Sequence, residues 1–180
     1  MNKKDAEKDL FFGNLNDTIR YLETCHDIKK NIYIDFHSMT NGIIRLYSAD
    51  IDEDQAYLRI GGLTRKQKEE IDKKLFDAIG GNKDELRDEI ISTAMSMKKA
   101  YFDKVKAEST KIDVPTLDIS EAVAILSEYR KEGIPVYIDY VTDNGVFKLY
   151  SVDINEENVY KELYGVSKKE YLENSNAVVK

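Results

Sequence analysis

The chain carries the same series of residue types twice, about a hundred residues apart. The matched segments are 33–36 with 137–140, 41–42 with 144–145, 46–53 with 149–156, and 62–67 with 165–170. From the second pair onward the offset is constant at 103 residues. A constant offset with matched residue types is typical of one structural unit made twice. We therefore expect any functional group to occur in both copies, or in one copy for a physical reason.

Each copy has the pattern of a helix, a β-hairpin and a second helix. The first helix follows a capping residue, Asn14 in one copy and Asp118 in the other, and has apolar residues three or four apart. Alternating apolar and polar residues then predict two strands around Asn41-Gly42 or Asn144-Gly145, which are dipeptides typical of tight turns. The sequence predicts an α+β fold of tandem duplicated αββα units joined by a helical connector.

The predicted organisation has four parts. They are an N-terminal segment over 1–13, repeat 1 over 14–79, a helical connector over 80–113 and repeat 2 over 114–180. Apolar residues at helical spacing predict one long helix in the connector, over roughly 84–108.

The charge of the chain constrains its partners. The net charge is −7, and the two repeats hold the surplus of acidic side chains. Residues 14–70 carry 8 basic and 10 acidic side chains, and residues 114–180 carry 7 basic and 12 acidic ones. This balance disfavours direct binding to nucleic-acid phosphates and favours a basic protein partner.

The single cysteine and the hydropathy of the chain indicate its location. Cys25 alone allows no disulfide within the chain, which fits a reducing compartment, so we predict a cytoplasmic protein. The sequence has no apolar stretch of about 18 residues, so we predict no membrane span. Its glycines match no nucleotide-binding motif, and we expect no cofactor.

A run of acidic residues follows each hairpin. Asp50, Asp52 and Asp54 have the spacing of the first ligands of a calcium loop. Gln55 stands where that loop needs glycine and Gly61 where it needs glutamate, so we favour acids at a helix N-terminus and expect no metal site. The predicted partner-binding carboxylates are Asp50, Asp52, Glu53, Asp54, Asp153, Glu156 and Glu157.

A pair of tyrosines recurs on the face of each hairpin turned away from the predicted core. The residues are Tyr33, Tyr47, Tyr137 and Tyr150. Tyrosine is enriched at protein interfaces, so these residues are also predicted to bind a partner. The alternative is that a helix covers this face and makes the tyrosines part of the core.

Asp35 and Asp139 occupy the same outward position in the two hairpins. Two carboxylates brought together by the repeats would suit acid–base catalysis. Because a basic residue, Arg45 or Lys148, recurs on the neighbouring strand, we favour a cross-strand ion pair in each copy.

In composition the chain resembles small proteins of phages and mobile elements that inhibit bacterial nucleic-acid machinery, including anti-CRISPR proteins that inhibit Cas9. The likeness lies in its acidity and its wealth of Lys, Asn, Ile and Tyr, and it assigns no site residues. It implies a non-enzymatic inhibitor or regulator that engages a basic, nucleic-acid-binding protein surface, with Cas9 as one candidate. The acidic residues would then stand in for phosphates.

Two other functions stay open. One is a small-molecule sensor or enzyme with a pocket between the two repeats, lined by Asp35 and Asp139. The other is a structural protein that self-assembles through exposed hairpin edges. The sequence leaves the oligomeric state undecided.

Overall fold

The computed structural model describes residues 1–39, 42–80, 84–115 and 118–177. It confirms the α+β class. The helices are α1 (Leu15–Asp27), α2 (Glu53–Gly61), α3 (Arg65–Asp77), α4 (Asp84–Ala107), α5 (Ile119–Glu132), α6 (Glu156–Tyr164) and α7 (Lys168–Ala177). The strands are β1 (Glu7–Lys8), β2 (Ile32–Ser38), β3 (Gly42–Tyr47), β4 (Thr110–Lys111), β5 (Val136–Thr142) and β6 (Gly145–Tyr150). A short 3-10 turn follows each hairpin, at Ser48–Asp50 and Ser151–Asp153.

The chain forms two compact units. Unit 1 comprises Met1–Lys104 and unit 2 comprises Val105–Lys180. Unit 1 contains a sheet with the strand order β1-β2-β3, and unit 2 contains a sheet with the order β4-β5-β6. In each sheet the short first strand is parallel to the second, and the second and third strands form the antiparallel hairpin. The tandem duplication itself stays a prediction.

Strands β1 and β4 lie in segments that the sequence analysis assigned otherwise. The segment 1–13 was separated from repeat 1, and 80–113 was predicted to be helical, but Thr110–Lys111 is a strand of unit 2. Two residues are too few to show an alternating pattern, so the sequence carries no signal for them. The long helix itself is confirmed at Asp84–Ala107.

The core of each unit lies between its hairpin, the helix before it and the helix after it. In unit 1, Ile19 and Leu22 of α1 are buried against Ile34 of β2 and Ile44 of β3. In unit 2, Leu126 of α5 is buried in the cluster that contains the inward residues of β5 and β6. The apolar residues of the alternating strand pattern therefore form the inward face, because successive side chains of a strand point to opposite faces.

The second hairpin turns one residue earlier than predicted. Thr142 pairs with Gly145, so the two residues of the turn are Asp143 and Asn144. Gly145 directly follows them with φ of +124°, a conformation that glycine adopts readily. In the first hairpin, Asn41 lies outside the described residues, and Gly42 has φ of +72°.

Helices α2 and α6 end at glycines with positive φ but different surroundings. Gly62 caps α2 with φ of +73°, and Gly165 caps α6 with φ of +70°. A Cβ placed on Gly62 would lie 3.2 Å from the Lys98 Cα and 2.9 Å from the Phe102 ring, both on α4. A Cβ on Gly165 would meet nothing within 4 Å. Gly62 therefore permits the close approach of α2 and α4.

We expect Gly62→Ala to destabilise the protein more than Gly165→Ala. Both variants force alanine into a left-handed conformation, at about 1–2 kcal/mol. Only Gly62→Ala also creates a clash with α4, which adds about 1–3 kcal/mol. Urea unfolding followed by circular dichroism would measure the difference. Equal losses in the two variants would contradict the tight contact between α2 and α4.

Candidate functional site

The predicted tyrosine pairs form, but they are not open surface. The ring centroids of Tyr33 and Tyr47 are 5.7 Å apart, and those of Tyr137 and Tyr150 are 5.4 Å apart. Tyr47 is buried, with 9% of its surface exposed, and the other three rings are half-buried. Tyr47 therefore offers no free ring to a partner.

A lysine covers one tyrosine of each pair. In unit 1 the Lys3 Nζ lies 5.0 Å from the centre of the Tyr47 ring and 2.5 Å from Asp50 Oδ2. In unit 2 the Lys106 Nζ lies 5.5 Å from the Tyr150 ring and 2.6 Å from Asp153 Oδ2. We call these two groups of lysine, tyrosine and aspartate the lysine clamps. They combine a cation–π contact with an ion pair and explain why the tyrosine faces are covered.

The sequence analysis missed both clamp lysines. Lys3 lies in the 3-10 turn at Lys3–Asp5, and Lys106 lies in the last turn of α4. One was assigned to the N-terminal segment and the other to the connector. The signal that would have found them is the offset of 103 residues, which relates Lys3 to Lys106 and Lys8 to Lys111.

Asp35 and Asp139 are held by cations, which favours a structural role. Asp35 accepts from Arg45 Nε at 2.7 Å and pairs with Lys8 at 3.3 Å. Burial raises the pKa of the Asp35 carboxyl, but the hydrogen bonds and charges of Arg45 and Lys8 outweigh burial, so its pKa lies below the usual value.

The predicted partner of Asp139 was wrong. Its carboxylate pairs with Lys111 of β4 at 2.8 Å. Lys148, which faces Asp139 across the hairpin, instead places its Nζ 5.0 Å from the centre of the Tyr137 ring. Arg45 also lies over a tyrosine, with its guanidinium carbon 4.2 Å from the Tyr33 ring centre. Both basic residues of the third strand lie over a tyrosine ring, and Arg45 pairs with the aspartate as well.

Most of the predicted acidic residues have partners inside their own unit. Asp50 and Asp153 belong to the lysine clamps. Glu53 pairs with Arg65 at 2.6 Å. At the matching place in unit 2, Glu156 pairs with Lys168 at 2.7 Å. These contacts join the start of one helix to the start of the next, so part of each acidic run serves the fold.

The acidic runs also cap helices, as the sequence analysis favoured. Asp52 accepts a hydrogen bond from the Gln55 backbone N–H at 2.8 Å and begins α2. Asn155 does the same for α6. Among the described residues, no group of three or more His, Cys, Asp and Glu side chains is arranged to hold a metal ion.

Asp54 and Glu157 are the most available members of the acidic runs. They occupy the same position in the two units, one residue after the start of α2 or α6. Asp54 is exposed and forms no ion pair with any described residue. Glu157 is 49% exposed at its side chain and lies 3.9 Å from Lys161, which is a loose contact. Asp50 and Asp153 are also exposed, at 55% and 43% of their side chains, but are ion-paired, and the exposed Asp52 caps α2.

Unit 1 contains an apolar groove that the sequence analysis did not predict. Its volume is about 660 Å³, and it lies between the start of α1, the end of β2, and helices α2, α3 and α4. Phe36, Tyr57 and Met95 line it together with aliphatic side chains. Lys68, Asp72 and Lys98 also line it. Residues from five separate elements meet here, which no local sequence pattern shows.

Unit 2 fills the matching region with tyrosine rings. Tyr164 and Tyr171 stack with their centroids 4.4 Å apart, and Tyr171 lies 5.3 Å from the buried Tyr160. Burial raises the pKa of Tyr164 above its usual value, and hydrogen bonding to Tyr140 and Tyr171 raises it further. These rings pack against the core of unit 2.

The chain matches no known protein-family model, no curated protein and no solved structure. Across the described residues, no helix combines the length and the apolar character that crossing a membrane requires.

We expect Asp35→Asn to destabilise the protein by about 2 kcal/mol at neutral pH, because Arg45 and Lys8 lose their charged partner. The pKa of Asp35 is lower in the folded state than the unfolded value of about 3.9, so its stabilisation is present above that value. The stabilisation is lost as the pH falls through the folded pKa. Urea unfolding measured from neutral to acidic pH should show the variant and the wild type converging.

The matched control is Asp143→Asn, in the exposed turn between β5 and β6. Asp143 forms no ion pair with any described residue, so its substitution should cost less than about 0.5 kcal/mol. A gap between Asp35→Asn and wild type that persists at acidic pH would contradict the ion-pair assignment.

Proposed function

We propose that the protein is a non-enzymatic binding protein whose acidic surface engages a basic surface of a nucleic-acid-binding protein. It would act as an inhibitor or regulator in the bacterial cytoplasm, in the manner of proteins encoded by phages and mobile elements. Cas9 is one candidate partner. In this role carboxylates occupy places that nucleic-acid phosphates would otherwise take on the partner.

The charge of unit 2 supports this proposal most strongly. Residues 105–180 carry nine basic and fourteen acidic side chains, which gives this unit most of the net charge of −7. A surplus of this kind attracts a positively charged surface and speeds association. The same surplus repels nucleic-acid phosphates, so direct binding to DNA or RNA is disfavoured.

The ion pairs within each unit reduce the number of carboxylates that are free to contact a partner. Glu53, Glu156 and Asp52 hold helices together or cap them, and their loss would disturb the fold. Asp54 and Glu157 have no comparable structural task. We therefore propose them as the principal contacts, together with the exposed side chains of Asp50 and Asp153. The half-buried Tyr33, Tyr137 and Tyr150 would contribute at most the exposed parts of their rings.

Self-assembly is the second candidate, and one observation favours it. Val141 and Val146 face each other at the end of the second hairpin with 72% and 62% of their surfaces exposed. An exposed apolar hairpin end can pair with another chain. Sedimentation as a function of concentration would test this, because assembly through the hairpin requires a mass that rises with concentration and falls in Val141→Lys.

The enzyme alternative receives no support from Asp35 and Asp139. Each carboxylate is ion-paired within its own unit, to Arg45 and Lys8 or to Lys111. A catalytic acid or base must exchange a proton with substrate, and each of these carboxylates is instead engaged by cations of its own unit.

The first experiment is affinity capture of the tagged protein from nuclease-treated bacterial lysate at low and high salt. Recovery of a basic nucleic-acid-binding protein at low salt, with loss at high salt, would support the proposal and identify the partner. Purified Cas9 with its guide would be tested in parallel for binding and for inhibition of DNA cleavage. Absence of any basic partner at low salt would count against the acidic-surface reading.

With a partner in hand, we expect the double variant Asp54→Lys, Glu157→Lys to weaken binding by about tenfold or more, mainly through slower association. The control variant is Glu85→Lys, Asp88→Lys, on the exposed start of α4. It changes the net charge by the same amount. Surface plasmon resonance at two salt concentrations would compare the two double variants. Equal effects would indicate that net charge alone, and not these two positions, governs binding.

A further inference from the structure

Two residues that line the apolar groove of unit 1 stand where unit 2 has tyrosines. Tyr164 is the last residue of α6, and the matching last residue of α2 is Gly61. Tyr171 of α7 corresponds to Lys68 of α3 at the same offset of 103 residues. Gly61 and Lys68 both line the groove. Unit 1 therefore lacks the two stacked rings that fill this place in unit 2.

The space beside Gly61 is open. A Cβ placed on Gly61 would meet nothing within 4 Å. Helix α4, which belongs to unit 1 over 84–104, supplies Ala94 and Met95 as the opposite wall of the groove and leaves the space between the walls unfilled. A volume of about 660 Å³ is in the usual range for small-molecule sites, which are mostly apolar with a few polar groups.

The charged groups on the groove select the head group of a ligand. Lys98 is exposed and forms no ion pair with any described residue. Lys68 pairs with Asp72 at 2.6 Å, so that pair contributes no net charge. Lys98 therefore gives the rim of the groove a positive charge, although the chain as a whole is negative. Complementarity favours an anion at this end and an apolar body inside.

We propose that the groove of unit 1 binds a small amphiphilic anion, such as a fatty carboxylate. Its apolar body occupies the place that the rings of Tyr164 and Tyr171 fill in unit 2, and its head group pairs with Lys98. This site is separate from the acidic runs, so the proposal does not depend on the partner-binding surface proposed above.

A variant that blocks the groove can be designed by copying the tyrosines of unit 2. Gly61→Tyr with Lys68→Tyr would place in unit 1 the rings that unit 2 already carries. The matched control is Lys66→Tyr, which adds a ring to an exposed position of α3 that does not line the groove. The wild type and both variants would be titrated with the fluorescent probe anilinonaphthalene sulfonate, and dodecanoate would then be added to displace the probe. Calorimetry with dodecanoate alone would measure its affinity directly.

We expect the wild type and Lys66→Tyr to bind dodecanoate at one saturable site. In the blocking variant the affinity for dodecanoate should fall by about tenfold or more. Absence of saturable dodecanoate binding to the wild type would overturn the proposal. Equal affinity in the wild type and a blocking variant with native circular dichroism would overturn it as well.

A second variant tests the head group without risk to folding. Lys98 is exposed on α4, so Lys98→Glu should leave the unfolding midpoint unchanged. We expect Lys98→Glu to weaken the binding of dodecanoate by about tenfold. The affinity for dodecanol, which has the same apolar body without the charge, should stay within about twofold of the wild-type value. Loss of both ligands to the same extent, or of neither, would overturn the assignment of Lys98 to the head group.

Discussion

In each unit, a buried serine hydroxyl at the end of the hairpin joins it to the start of the hairpin by hydrogen bonds. Ser48 is fully buried, accepts from the Ile32 N–H at 3.0 Å and donates to the Lys30 carbonyl at 2.8 Å. Ser151 makes the same contacts with Val136 and Ile134, at 3.0 and 2.9 Å. A buried hydroxyl without partners would be costly, so each serine fixes the chain after the hairpin against the start of the hairpin. The 3-10 turn, the aspartate of the lysine clamp and the acidic run come directly at or after this serine in each unit.

The two units share several contacts but differ in the side chains packed beside the second helix. In both, a lysine from the segment before the first strand closes over a tyrosine and an aspartate, and a short parallel strand adds to the hairpin. The difference lies beside the second helix. Unit 2 packs Tyr164 and Tyr171 there, whereas unit 1 has Gly61 and Lys68 and is flanked by α4. These two positions carry stacked rings in unit 2, whereas in unit 1 they line an apolar groove.

Much of the fold could be predicted from the sequence, because its signals are local. The alternation in β2 and β5 gave the inward faces, and the capping residues Asn14 and Asp118 gave the helix starts. The strands β1 and β4 could not be predicted, since two residues show no period and their pairing is made by distant backbone groups. The turn at Asp143 and Asn144 was misplaced by one residue, because the position that needs glycine follows this turn instead of lying within it.

The candidate sites, like the fold, could be predicted from the sequence only in part. The sequence by itself determined the repeated order of elements, the excess of acidic side chains, and the positions of the tyrosine pairs and acidic runs, because each depends on residue type and spacing along the chain. Only the tertiary structure decided which carboxylates were already paired, that Tyr47 was covered, and that Asp139 met Lys111 and not Lys148. It alone brought five separate elements of unit 1 around an open groove. Ion pairs and cavities depend on distances between residues far apart in sequence, and those distances exist only once the chain has folded.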